Sequence, residues 1–308
     1  MNLETLAAAR RTWTETLDRA RELGVEWRGS RFDSYLAIID ELCQLEERRK
    51  TDPEAFVEFH REIGRQELLF EGASQMIQLR LASKVWGRLE RAVLSAKLKK
   101  IVGGPLMPVR GADQGEVTDE PRDTLVELLA AAIMAEHGFE PGLTRVDEDL
   151  RLVLAGRPLI IAECKRPMGR ETLPTALGSL RTQFWRRKNQ GATLCMPFVA
   201  AERIEPFASL LTQAESAEEL DLEVQRRIRA VIDEIRNICA TVPGRSLGTL
   251  SPVGVVTFSG AVWVRQPRAH VHYFAVREPF DTGRQEDTPD WLVRQFRHSE
   301  GLLAEFAS

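Results

Sequence analysis

The chain reads as an α/β protein, a mixed sheet flanked by helices and preceded by an all-helical N-terminal region. Three observations carry that reading. Residues 1 to about 101 hold one proline and few glycines, and their apolar positions recur at helical spacing. From about Gly115 onward, helical stretches alternate with short runs rich in Leu, Val and Ile. Between the two, KLKKIVGGPLMP sets Gly103, Gly104, Pro105 and Pro108 together as a helix stop. The expected division is a helical domain over residues 1–102, a linker over 103–114 and an α/β domain over 115–308.

Taken in order, TDPEAF at 51–56 starts a helix, with Asp52 as N-cap and Pro53 at the first helical position. One long helix is expected from about 65 to 101, carrying Ile77, Leu81, Val85, Leu89, Val93 and Leu94 on its stripe. In TDEPRDTLVELLAAAIMAEHGF, Thr118 or Asp119 caps a helix that turns Leu125, Leu128, Leu129, Ala132 and Ile133 inward, and Gly138 closes it. DLRLVLAGRPLIIAECK is two apolar runs parted by Ala155, Gly156 and Arg157, the pattern of a β-hairpin. Leu173 to Lys188 is helical, and Ala192 to Ala200 is a strand in which Pro197 suits an edge or an end. A helix over about 217–240 carries Leu220, Leu222, Val224, Ile228, Val231 and Ile235. PVGVVTFSGAVWV and HVHYFAV are strands, and PDWLVRQFRHSEGLLAEF is a closing helix.

Several classes of protein are disfavoured. The four cysteines (Cys43, Cys164, Cys195, Cys239) form no CxxC pair and no His–Cys grouping at zinc spacing, which fits a reducing cytoplasm. The start, MNLETLAAARRTW, has no apolar core of signal-peptide length, and the longest apolar run is LLAAAIMA at 128–135. A soluble chain without a membrane anchor is therefore expected. There is no GxxxxGKS loop for an ATP-driven step.

The chemistry concentrates in PLIIAECKRP, residues 158–167. Charges at the end of an apolar strand are costly unless they are paired, bind metal or react. Strand alternation puts Glu163 and Lys165 on one face. Counted outward from Gly156, Asp149 lies as far before the turn as Glu163 lies after it, so the two fall opposite one another. Asp147 and Glu148 precede Asp149 and leave the choice of acid open; Asp149 is preferred because it directly precedes the alternation Leu150, Leu152, Leu154. Two facing carboxylates in an oxygen-only pocket suit Mg²⁺ or Mn²⁺, and Lys165 is placed to act on a water or on developing phosphate charge. From Arg151 to Gly191 there are nine basic residues against two acids, a net of +7 in a chain of net −4, so the remainder carries −11. Cations gathered beside the acids predict a polyanion there, held by Arg166, Arg170, Arg186, Arg187 and Lys188, with Gln183 and Trp185 able to touch backbone or base. Lys97, Lys99, Lys100 and Arg110 are positioned to extend that track.

This D-x13-E-x-K pattern, Asp149, Glu163 and Lys165, resembles the PD-(D/E)XK nuclease superfamily, although no proline precedes Asp149. Residues about 118–200 reproduce the superfamily's order of helix, strands, helix and strand, under a third of the chain. The resemblance implies a restriction-endonuclease-like core and a Mg²⁺- or Mn²⁺-dependent nuclease, with DNA favoured over RNA as partner. It implies metal ligation by Asp149, Glu163 and the Cys164 backbone carbonyl, assistance of the attacking water by Lys165, and a supporting role for Glu127, the acid of the first core helix. A glutamine on the second core helix reaches the active site in some relatives, and Gln183 matches it. Restriction or anti-phage defence would suit such a chain, with the helical domain serving oligomerisation, a protein partner or substrate guidance. The rival expectations are a non-catalytic nucleic-acid-binding module of the same fold and a subunit that acts only with a partner.

Overall fold

In the computed structural model, residues 6–48, 51–52, 54, 67–106, 119–143, 150–189, 194–202, 204, 217–241, 253–264, 270–281 and 289–297 are described. The N-terminal helices are α1 (Leu6–Glu22), α2 (Arg31–Arg48), α3 (Glu67–Ser83) and α4 (Arg91–Val102). Asp52 accepts from the Glu54 amide at 2.9 Å, the capping bond expected of TDPEAF. The long helix expected from 65 to 101 is instead interrupted between α3 and α4, where Trp86–Arg88 form a single 3-10 turn. The interruption carries Gly87, a poor helix former, and seats the Trp86 ring in the core at 4% exposure, with the Arg19 guanidinium over it at 5.6 Å.

Next come α5 (Glu120–Glu136), β1 (Glu140–Gly142), β2 (Leu150–Val153), β3 (Ile160–Lys165), α6 (Leu173–Asn189), β4 (Leu194–Ala200), α7 (Ala217–Thr241), β5 (Val253–Val264), β6 (His270–Asp281) and α8 (Asp290–Arg297). Among the described residues the strands form one mixed sheet in the order β1-β2-β3-β4-β5-β6. Neighbours pair antiparallel except β3 with β4 and β4 with β5, which run parallel. Gly138 closes α5 at φ +82° as expected. β1 was not foreseen. Its three residues, Glu-Pro-Gly, carry no strand signal in the sequence and are ordered by pairing to β2 and by packing against α5, with Pro141 buried.

The β2–β3 hairpin follows the expected register: Leu150 faces Ala162, Arg151 faces Ile161 and Leu152 faces Ile160, each pair centred on residue 156. The Arg157 amide donates to the Leu154 carbonyl at 2.9 Å, and Gly156 sits at φ +69°, a turn conformation that suits glycine. Pro197 is not on an edge strand; it faces Glu163 of β3 in the sheet interior. Its missing N–H is tolerated because the pairing of β4 with β5 begins only at Phe198.

The sheet is covered on both faces. Leu150, Leu152, Ile160, Ala162, Met196 and Phe198 share one buried cluster with α1 to α5 and α8. The alternate positions Ile161, Cys195, Val199 and Val256 are buried outside that cluster, where Leu177, Leu180 and Phe184 of α6 and Ile228, Val231 and Ile235 of α7 are also buried. The Cys195 thiol meets the Phe184 carbonyl at 4.0 Å, one of the contacts by which α6 packs over this second face. Leu222, expected on the inner stripe of α7, is 74% exposed. Helix α5 was expected to bury one stripe. It is buried from Thr124 to Met134 on every side except at half-buried Glu127, because it lies between the sheet and α3 and α4. No helix among the described residues is long and apolar enough to cross a membrane.

Candidate functional site

The site is built where β3 ends. Ile160 to Glu163 are all buried, and Cys164 and Lys165 are half-buried, so the strand surfaces at the E-x-K residues. Alternation sends Glu163 and Lys165 to the face that α6 covers. Glu163 is 1% exposed, and its Oε1 accepts from Arg187 Nε at 3.0 Å, with Arg187 itself 4% exposed. A buried carboxylate is tolerable only with such compensation. Lys165 has no ion-pair partner among the described residues.

Arg187 was read from the sequence with the residues that contact nucleic acid. It is instead buried and meets Glu163, because it occupies the inner stripe of α6 with Leu173, Leu177, Leu180 and Phe184. That stripe was legible, and a basic residue on it was the signal. Gln183 lies one turn before Arg187 on α6, and its Oε1 is buried without a hydrogen-bond partner. Such an atom is uncommon in a folded protein and marks a place where a partner belongs.

Other expected residues fall differently. Asp149, with its alternatives Asp147 and Glu148, lies outside the described residues, as do residues 107–114 of the expected linker and the side chain of Lys188. Arg166 is 7% exposed at its side chain and donates to Asp119 Oδ2 at 3.3 Å. Arg170 pairs with Glu234 at 3.3 Å while remaining half exposed. Arg186 and Trp185 are exposed on α6. Glu127 is ion-paired with Lys97 of α4, and its helix covers the opposite face of the sheet from Glu163. Lys97, expected to extend a cationic track, is thereby engaged.

Asp119 was expected as one of two caps of α5. It holds the N-cap position but makes no side-chain capping bond. Its carboxylate takes Arg122 Nη1 at 3.1 Å on both oxygens, together with Arg166, because two buried guanidinia outcompete a backbone amide for the anion. Arg122 was missed as a structural centre, since a lone arginine in a first turn carries no spacing signal.

Among the described residues, no three His, Cys, Asp or Glu side chains converge as a metal site. The Glu163 carboxylate and the Cys164 main-chain carbonyl are hard oxygen donors of the kind that Mg²⁺ and Mn²⁺ take. Compared with protein-family models, with curated proteins and with solved structures, the chain matches none.

Proposed function

We propose that the chain is a metal-dependent nuclease of the PD-(D/E)XK type, acting on phosphodiester bonds and on DNA in preference to RNA. The observation that carries this reading is the β2–β3 register centred on Gly156. Continuing it by one rung would set Asp149, which lies outside the described residues, opposite Glu163, with Lys165 two residues along on the face of Glu163. The order α5, β1, β2, β3, α6, β4 and the sheet order β1-β2-β3-β4 support a restriction-endonuclease-like core.

In this reading Asp149, Glu163 and the Cys164 carbonyl hold Mg²⁺ or Mn²⁺, which would polarise a phosphate oxygen and acidify a bound water. Lys165, half-buried and without an ion-pair partner among the described residues, assists the attacking water or offsets charge developing on the phosphate. Arg187 neutralises Glu163 and fixes its carboxylate, Gln183 supplies an acceptor one turn away, and Arg170 and Arg186 meet the backbone. Glu127, paired with Lys97 on the opposite face of the sheet, is left outside this site. The helical part serves a partner, oligomerisation or substrate guidance, and restriction or anti-phage defence is the setting such an enzyme suits.

The test is incubation of the full chain with plasmid and Mg²⁺, beside Glu163→Ala and Lys165→Ala. Cleavage by the wild type is expected, with a loss of 10²-fold or more in each variant. Cleavage that survives both substitutions sinks the site. A second reading is favoured by the Glu163–Arg187 pair, which satisfies the carboxylate without any metal. That is a non-catalytic nucleic-acid-binding module, and it predicts DNA retention in a gel-shift assay, unchanged by removing divalent ions and without cleavage.

A further inference from the structure

A guanidinium keeps its charge at any ordinary pH and carries five N–H donors, so burying one without acceptors is costly. Arg31, the first residue of α2, is 3% exposed, and its Nε, Nη1 and Nη2 are all buried without a hydrogen-bond partner. The acceptors around it are committed elsewhere. Arg122 donates from Nε to Glu71 at 2.7 Å, from Nη1 to Asp119 at 3.1 Å and from Nη2 to the Leu106 carbonyl at 3.1 Å. Tyr35 donates to that same carbonyl at 2.8 Å. Arg166 takes the remaining reach of Asp119.

Charge leads to the same place. Among the described residues, Arg31, Arg122 and Arg166 face Glu71 and Asp119, three positive charges against two negative, and removing Arg31 alone would balance that count. Burial, and then the nearby Arg122, pull Arg31 down to about 10, still protonated at neutral pH. Its position is fixed by built features. The guanidinium lies over the Phe32 ring at 4.9 Å and against Gly104, where a Cβ would overlap Nη1 and stand 2.6 Å from Pro121 Cβ.

We propose that Arg31 is the anchor of an anion site, between the start of α2 and the start of α5, that takes a phosphate group, either free or carried by a nucleotide. Three unsatisfied nitrogens exceed what one carboxylate edge accepts in its bidentate fork. The further oxygens of a tetrahedral phosphate meet all three. The site does not depend on the nuclease reading. It touches the E-x-K strand through Arg166, which follows Lys165 directly and reaches Asp119.

The experiment uses the full chain in phosphate-free buffer and follows melting temperature and binding heat. The ligands are inorganic phosphate, deoxyadenosine 5′-monophosphate and, as a control at equal ionic strength, acetate. Saturable stabilisation by phosphate or the nucleotide, not reproduced by acetate, is expected, since a ligand bound only by the folded chain raises its stability. Arg31→Gln should weaken the affinity at least tenfold, and Arg31→Lys, which keeps the charge and loses the fork, should weaken it less. A tighter response to the nucleotide identifies a phosphate ester as the ligand, and an equal one identifies free phosphate. The proposal is overturned by an absent or non-saturating response in the wild type, by an equal response to acetate, or by an affinity unchanged in Arg31→Gln. Should Arg31→Gln not fold, an unchanged affinity in Arg31→Lys overturns it as well.

Discussion

Glu163 and Arg187 show how one buried pair serves both the fold and the site. Each is under 5% exposed, so removing either partner leaves the other as an uncompensated charge in the core. Arg187→Met should therefore cost about 3–5 kcal/mol by urea denaturation. Adding Glu163→Gln to it removes the stranded charge and should recover most of that loss. A double variant no more stable than Arg187→Met would mean that the pair contributes through packing and not charge. Measured beside the cleavage assay, the comparison separates stability from chemistry, because both variants lose Arg187 while only one retains the carboxylate. Lys165 is the contrasting case. Half-buried and without an ion pair among the described residues, it is not held by a charge partner there, as the proposed role in cleavage requires.

At the level of elements, burial sets how the helices respond to pH. Cys239 of α7 is fully buried, and burial pushes its thiol up from 9.0 to about 12. A raised acid gives stability that is complete below pH 9, where the unfolded thiol is also neutral, and that is lost as pH climbs toward 12. The lead of the wild type over Cys239→Ala in urea midpoint should hold to pH 9 and then shrink, by at most about 1.4 kcal/mol per pH unit. A constant lead up to pH 10.5 would contradict the burial of this thiol. The elements differ in how far the sequence disclosed them. The β2–β3 hairpin was legible to its register because Gly156 marks its centre and Leu150, Leu152 and Ile160 alternate around it. The interruption at Trp86–Arg88 was not, since Leu81, Val85 and Leu89 run through it at helical spacing, and a single glycine, Gly87, is too weak a signal beside the seating of Trp86 in the core. Glu163 and Lys165 were legible as a pair on one face, whereas the burial of Arg187 depends on which stripe of α6 meets the sheet. The Arg31–Arg122 cluster left no pattern, because it is assembled from α2, α3 and α5 by tertiary packing alone.

For the molecule as a whole, α5 is the shared wall. Its buried positions meet the sheet on one side and α3 and α4 on the other, and one cluster of buried residues runs from Ala9 to Phe296 without dividing near residue 103. Close approach is built in as well, for a Cβ on Gly72 of α3 would lie 2.7 Å from the Tyr35 ring of α2. Two charges cross the same boundary: Arg122 of α5, 1% exposed at its side chain, takes Glu71 of α3, and Glu127 takes Lys97 of α4. A fragment of residues 103–308 would expose the α3- and α4-facing side of α5 and strand Arg122 with one carboxylate partner fewer. Each large apolar side chain so exposed forfeits about 1.5–3 kcal/mol, so a handful equals the whole stability of a typical domain. The fragment should bind a hydrophobic dye and lose its sharp thermal transition. Addition of a separately made 1–102 fragment should restore both properties, because the missing face is supplied in trans. A 103–308 fragment that unfolds cooperatively near the temperature of the full chain would show instead that the sheet and its two α6–α7 layer helices suffice, and that the N-terminal helices are docked on a finished domain.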